Sequence, residues 1–364
     1  MSASMRNDNN NDSTKKNLVA YFTKRDLIIY ALGIGCCSSG EYNEQDELRY
    51  VYERHPSFEM FPTFLLSLNF TAESESKIPK GQIMMGIRPF PPESMRISEH
   101  EPGIIPKAFL NTTSVEEMES LPILHMNQSL VFHHSTDKIL FSNNNVSPDN
   151  PIQVNLHTEI VSIRPRKVGT FVTSQTKYYY RDYCIATSEM TALVYGLSPN
   201  KVISWQRTPT KNNSCNNNVP TISVTEKKKK KKTVYKVTIP SHATMLYRLS
   251  GDYNPIHVEG TSSDNQDAIL HGLCTLGYAT RIILRHVKTM SDKSNDVRLT
   301  AIRCNFVKTV YVGDILHIEV WGPIICTKID GNTSINFRVS RVASKETVVD
   351  EGVAEFQGKI SSKL

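Results

Sequence analysis

The chain has 364 residues, 39% of them hydrophobic and 21% charged, with a formal net charge of +6. This is an ordinary balance for a globular protein and a length suited to two domains of about 150 residues each. No apolar run approaches the roughly 18 residues of a membrane span. The seven cysteines are odd in number and scattered without C-x-x-C spacing, which excludes both a disulfide scaffold and a zinc site.

Residues 1–16 are polar and Asn-rich with no apolar core, so they read as a disordered tail and not as a secretory signal. A first domain is expected over residues 17–205. Within it, Cys36 and Cys37 read as two small buried apolar residues. Matches to Asn-X-Ser/Thr such as Asn69-Phe-Thr71 follow from high asparagine usage. Residues 206–232 contain an Asn-rich stretch and then six lysines, Lys227–Lys232, with no interleaved aromatics. That composition describes a solvated low-complexity linker and not a nucleic-acid or membrane patch.

A second domain is expected over residues 233–360. Apolar and polar residues alternate over Thr233–Ile239, as in a strand with one buried face. Leu273, Leu276, Gly277, Thr280, Ile283, Leu284 and Val287 recur at helical spacing, which predicts one long helix entered near His271 and ended before Ser291. Strand patterns follow at residues 297–307, 315–321, 334–342 and 347–358, with Val312-Gly313-Asp314 as a turn. A strand, one long helix and then several antiparallel strands make a helix-on-sheet α+β layer.

The chemistry concentrates in Tyr247-Arg-Leu-Ser-Gly-Asp-Tyr-Asn-Pro-Ile-His257, where a carboxylate, an amide and an imidazole fall within six residues. Pro255 fixes its own φ and pushes Asn254 out of the α region, so the segment is expected to be an extended, stiff turn that aims Asp252, Asn254 and His257 instead of burying them. A carboxylate and an imidazole sharing one water form an acid/base pair near neutral pH. Asn254 would orient the loop or the water, and because Asp-X-Asn-Pro is also good turn chemistry a local Asx-turn role is equally open to it. After a polar bridge comes Ala268-Ile-Leu-His-Gly-Leu-Cys-Thr275, which puts Gly272 at the start of the long helix, where backbone N–H groups lack intrahelical acceptors. The neighbouring His271 reads as structural, and His133, His134, His242, His286 and His317 as non-catalytic.

Together these two elements resemble the signature of the R-specific 2-enoyl-CoA hydratases, also called hydratase 2 or MaoC-like hydratases. Arg25–Gly35, Leu48–Glu53 and Phe61-Pro-Thr-Phe64 are similar to N-terminal segments of the same family. The resemblance implies two tandem hotdog folds, each a curled antiparallel sheet around a central helix. It implies a homodimer, a catalytic second half, and a first half that has lost the dyad and serves the acyl tail. Tyr30–Gly35 aligns with Tyr247–Asp252, placing Gly35 where the aspartate stands, and Pro122-Ile-Leu-His-Met126 is laid beside Ala268–Gly272.

The implied reaction is hydration of trans-2-enoyl-CoA to (3R)-3-hydroxyacyl-CoA. Asp252 and His257 would hold the water, and the N–H at Gly272 would receive the developing enolate charge. No metal or cofactor is needed, CoA being part of the substrate. The chain ends in Ser362-Lys363-Leu364, the tripeptide read by the peroxisomal import receptor, which points to the peroxisomal matrix. No dehydrogenase-type G-x-G-x-x-G unit flanks the two halves, so a free-standing hydratase is expected. The rival readings are a non-catalytic acyl-CoA-binding hotdog protein and a hotdog thioesterase.

Overall fold

The computed structural model describes residues 14–38, 44–74, 105–110, 121–133, 151–208, 232–260, 268–291, 297–325 and 333–358. The polar tail over residues 1–13, most of the Asn/Lys linker and the C-terminal tripeptide lie outside them. Thr14 is buried, however, and Lys15 and Lys16 open the first strand, so the last three residues of the expected tail belong to the fold.

The first half contains strand β1 (Lys15–Phe22), helices α1 (Lys24–Gly33), α2 (Leu48–Val51) and α3 (Phe64–Thr71), and strands β2 (Ile123–Phe132), β3 (Ile152–Arg166), β4 (Gly169–Tyr180) and β5 (Tyr183–Tyr195). A short β6 (Trp205–Gln206) pairs with β3, and the N–H of Arg207 still donates to Val161 O at 2.9 Å. The second half contains β7 (Lys232–Thr238), α4 (Ala243–Tyr247), α5 (Gly272–Met290), β8 (Arg298–Phe306), β9 (Ile315–Ile325), β10 (Thr333–Arg341) and β11 (Thr347–Gln357). Lys232, at the end of the expected linker, is thus already a strand residue, and its Nζ pairs with Glu319 Oε1 at 2.7 Å. Gly313 turns the chain into β9 at φ +85, a left-handed conformation that glycine adopts freely.

The strands form one antiparallel sheet in the order β1-β3-β4-β5-β2-β8-β11-β10-β9-β7. Strip the numbering to position within each half and the two read identically, meeting at β2 and β8. That seam is a true ladder, with Leu130 opposite Ile302 and Val131 opposite Ala301. The α+β architecture of two tandem hotdogs follows directly.

Helix α5 is the central helix of the second half. Every residue from Leu273 to Ile283 is buried, so it is covered on all sides, as a helix in the interior of the fold must be. Its counterpart in the first half is α3, which occupies the same place in the element order but is eight residues long against nineteen. The segment equivalent to Ile269-Leu-His-Gly272 is therefore Phe61-Pro-Thr-Phe64, at the entry to α3. The alignment of Pro122–Met126 with that segment is wrong, because those residues open β2. A short apolar run with one histidine carries too little information to fix its place by sequence alone.

One hydrophobic core runs through both halves and includes Phe22, Tyr30, Phe61 and Phe64 as well as Tyr247, Leu276 and Ile283. Helix α5 meets α1 at Gly277, where any Cβ would collide with the Ile34 side chain. Glycine there permits the close crossing. A second bond between the halves is ionic. The carboxylate of Glu47 is buried and accepts from Arg281 Nε at 2.7 Å and from Cys37 N–H at 2.7 Å, and Arg285 Nε lies 2.6 Å from it.

Candidate active site

The motif folds as a chain of short turns between α4 and α5. Helix α4 continues into a 3-10 turn over Arg248–Ser250, which stops at Gly251 with φ +126. Asp252 follows, and a second 3-10 turn, Pro255–His257, begins where proline is best tolerated, at the first helical position. The backbone N–H of Asn254 donates to Asp252 Oδ1 at 3.3 Å, and Asn254 Oδ1 accepts from the N–H of Ile256 at 3.2 Å. Asn254 is exposed and its side-chain oxygen caps the turn that carries His257, so the local role open to it in the sequence is the one its geometry displays.

Asp252 and His257 come together. Asp252 Oδ2 lies 3.8 Å from His257 Nε2, with both side chains mostly but not wholly covered. That gap is too long for a hydrogen bond, and a water about 2.8 Å from each atom would touch both. His257 Nδ1–H donates to the carbonyl of Ile269 at 2.7 Å. A carbonyl can only accept, so Nδ1 carries a proton, and Nε2 is left facing Asp252.

His271 lies beneath this pair. It is buried, its ring stacks on His257 at 3.6 Å between centroids, and its Nε2–H donates to the backbone carbonyl of Asp252 at 3.1 Å. Burial first, then the nearby charge of His257, holds its pKa down to about 3, so it is neutral at physiological pH. A neutral, buried imidazole that ties Asp252 to the helix entrance is a positioning group, consistent with its structural reading. Burial also raises the pKa of Asp252, against the opposing effects of His257 and the Asn254 N–H. A desolvated carboxylate is a stronger base than one in water.

One donor atom from each of Asp252, His257 and His271 falls within 4.8 Å of the others, a spacing compatible with a metal ion. The stacking argues against it. Two imidazoles lying face to face at 3.6 Å direct their in-plane lone pairs along offset, near-parallel planes and not at one point. The constellation suits proton transfer better than coordination.

Gly272 is the first residue of α5, with His271 as its N-cap. The first intrahelical bond runs from the Thr275 N–H to His271 O at 3.1 Å, so the N–H groups before Thr275 point out of the helix start with the positive end of its dipole. A Cβ at Gly272 would stand 3.5 Å from the Phe306 ring, an ordinary contact. The glycine is thus not demanded by the neighbouring protein, and its lack of a side chain leaves the backbone at the helix start uncovered on that side.

Gly35, aligned in sequence with Asp252, has a left-handed φ of +80 as Gly251 does, and a Cβ there would lie 2.6 Å from Tyr278 Cε1 and 3.0 Å from Arg281 Nη1. Among the remaining histidines, His286 Nδ1 meets Tyr235 OH at 2.7 Å and His133 Nε2 meets Thr187 Oγ1 at 2.7 Å, both away from Asp252. The sequence reading missed the Glu47 cluster, although Arg281, Arg285 and Lys288 form a charged stripe at i, i+4 and i+7 on an otherwise apolar helix. It also missed the ring contacts around Gly272, for which no local signal exists.

Residues 223–346 match the MaoC like domain, and residues 21–89 match the MFE-2 hydratase 2 N-terminal domain. A peroxisomal enoyl-CoA hydratase 2 of Arabidopsis thaliana is 29% identical over 82% of this chain and 82% of its own length. A peroxisomal hydratase-dehydrogenase-epimerase of Saccharomyces cerevisiae is 24% identical over 82% of this chain, which corresponds to only 27% of that larger protein. Among solved structures, a MaoC-like dehydratase of Phytophthora capsici superimposes with a TM-score of 0.63 at 22% identity, covering 97% of this chain and 98% of its own, and so shares the fold. With the hydratase 2 N-terminal domain matched in the first half and the MaoC-like domain in the second, the chain belongs to the MaoC-like hydratase 2 family.

Proposed function

We propose that this protein hydrates trans-2-enoyl-CoA to (3R)-3-hydroxyacyl-CoA in peroxisomal fatty-acid β-oxidation. The observation that carries the reading is the pairing of Asp252 Oδ2 and His257 Nε2 at 3.8 Å beside the open N-terminus of α5. A water held between the two gives its oxygen to C3 as the dyad takes its proton. The π electrons of the alkene move onto the thioester oxygen, which the Gly272 N–H receives, and return as a proton from the dyad reaches C2. Removing one such oxyanion donor typically costs about 3 kcal/mol in the transition state. His257, whose Nδ1–H is anchored on Ile269 O, keeps its ring fixed while Nε2 gains and loses the proton.

The deciding experiment follows the absorbance of the conjugated enoyl thioester together with release of free thiol, and resolves the product on a chiral column. Loss of absorbance without thiol, giving the 3R alcohol, is the expected result. Thiol release would mean a thioesterase, and no change in either signal a binding protein. Activity should survive exhaustive dialysis against a chelator, since the dyad needs no metal or cofactor. The 3S product would contradict the stereochemical assignment.

The further expectations rest on the family. The first half would lengthen the pocket for the acyl tail, each buried methylene being worth roughly 0.8 kcal/mol, so narrowing it should hurt long-chain substrates more than crotonyl-CoA. The peroxisomal names of the relatives support a matrix location reached through the import receptor. An N-terminally tagged protein should lose that location when Ser362, Lys363 and Leu364 are removed. A homodimer is expected, and light scattering behind a sizing column measures it.

A further inference from the structure

Beside Gly272 a ring contact crosses the seam between the halves. The Phe306 ring, at the end of β8, stands 3.5 Å from where a Cβ of Gly272 would project, and His125 of β2 packs on it edge to face with ring centroids 4.8 Å apart. His125 and Phe306 sit just past the last paired residues of the seam, Asn127 and Asn305, where the two strands separate beside the entrance to α5.

The placement of His125 has a local cause. In the pairing of β2 with β5, His125 opposes Ala192 and Asn127 opposes Thr191, so Met126 is an extra residue and β2 carries a bulge at that point. Bulges re-aim side chains, and they are common next to active sites. The ring is then locked, its Nε2–H donating to Asn127 O at 3.0 Å. Desolvation lowers its pKa to about 4, so it is a neutral aromatic ring at neutral pH. Yet His125, Phe306 and Gly272 all keep some accessible surface, as do Asp252 and His257. Groups that are desolvated but still accessible line a recess; they do not fill a core.

We propose that His125 and Phe306 form the wall of the catalytic recess opposite the dyad and hold the thioester group over the Gly272 N–H, His125 acting as a positioning residue through Phe306. The first half would thereby serve the reacting end of the substrate and not only its tail. The inference rests on the hydratase reading, and it names the residues that set the alignment. A misplacement of about 1 Å at a reacting centre can cost on the order of 100-fold in rate, so a loosened Phe306 should act on kcat more than on KM.

The test compares His125→Ala, His125→Gln and His125→Phe with the wild type, using crotonyl-CoA and a long-chain enoyl-CoA. Alanine and glutamine should each lower kcat by about 10- to 100-fold, equally for both substrates, with the melting temperature unchanged. Phenylalanine keeps the edge-to-face ring contact without the hydrogen bond and should restore kcat to within about threefold of wild type, since the effect is attributed to the ring. Phe306→Ala should reproduce the loss, and adding His125→Ala to it should cost nothing more. Full activity in His125→Ala, or a loss confined to the long-chain substrate, would overturn this proposal while leaving the hydratase reading intact. A wild type that fails to hydrate either substrate would overturn both.

Discussion

Replacing Glu47 by glutamine tests what joins the two halves beyond apolar packing. The carboxylate is almost fully buried, at 3% exposure, and serves Arg281 Nε and Arg285 Nε through one oxygen and the Cys37 N–H through the other. Glutamine has the same shape but cannot accept on both sides. With its carbonyl toward the arginines its NH2 confronts the Cys37 N–H, and in the flipped orientation it confronts two guanidinium groups. Either way Arg281, itself 5% exposed, keeps its charge without a counter-charge. Breaking a buried pair from one side costs about 3–5 kcal/mol. That is a large part of the roughly 5–15 kcal/mol that holds a native domain together. Urea unfolding can be read separately in the two halves, because the chain has two tryptophans, Trp205 in the first and Trp321 in the second. Single-tryptophan versions of the wild type should unfold in one shared transition, and Glu47→Gln should move both to lower urea together. Adding Arg281→Met should recover part of the loss by removing the orphaned charge. A loss below about 1 kcal/mol would refute the reasoning, since it would put the cluster in the class of surface pairs that contribute little.

Four further outcomes are expected. Asp252→Ala and His257→Ala should each abolish most hydration while the circular dichroism spectrum is kept, because both stand on a turn outside the apolar core. Asp252→Asn should be inactive yet melt no lower than wild type at neutral pH. Burial raises the folded pKa of Asp252, so its ionised form is a destabilising charge that is fully present above that pKa and vanishes as pH falls through it. Melting curves from pH 7 to pH 4 should therefore show the advantage of the asparagine shrinking with acidity. The acid limb of kcat/KM should lie above the ordinary aspartate value of 3.8, and a limb at or below 3.8 would contradict the role of a desolvated carboxylate.

The second half was legible because its signals are local. Alternation over Thr233–Ile239 became β7, and the helical spacing from Leu273 onward became α5, starting at Gly272 and ending at Met290 before the polar run. The turn expected around Pro255 is present, but from Pro255 to His257 it closes as a capped 3-10 turn and is not extended. The first half resisted because its counterpart of the central helix is short, and the apolar motif at Pro122–Met126 mimics a helix entrance while opening a strand. What no local pattern could supply are contacts made by distant residues. Glu47 meets Arg281 across 234 positions, and His125 meets Phe306 only because β2 and β8 form the ladder that joins the halves.

The filled space around Gly35 bears on whether the first half could recover a dyad. An aspartate at position 35 would need a left-handed backbone at φ +80, and its Cβ would overlap the Tyr278 ring and press on the Arg281 guanidinium. Both of those residues belong to the helix that serves the surviving site, and Arg281 also holds Glu47. A carboxylate at position 35 would thus press on the same helix that carries the working site, so any change there is felt in both halves at once.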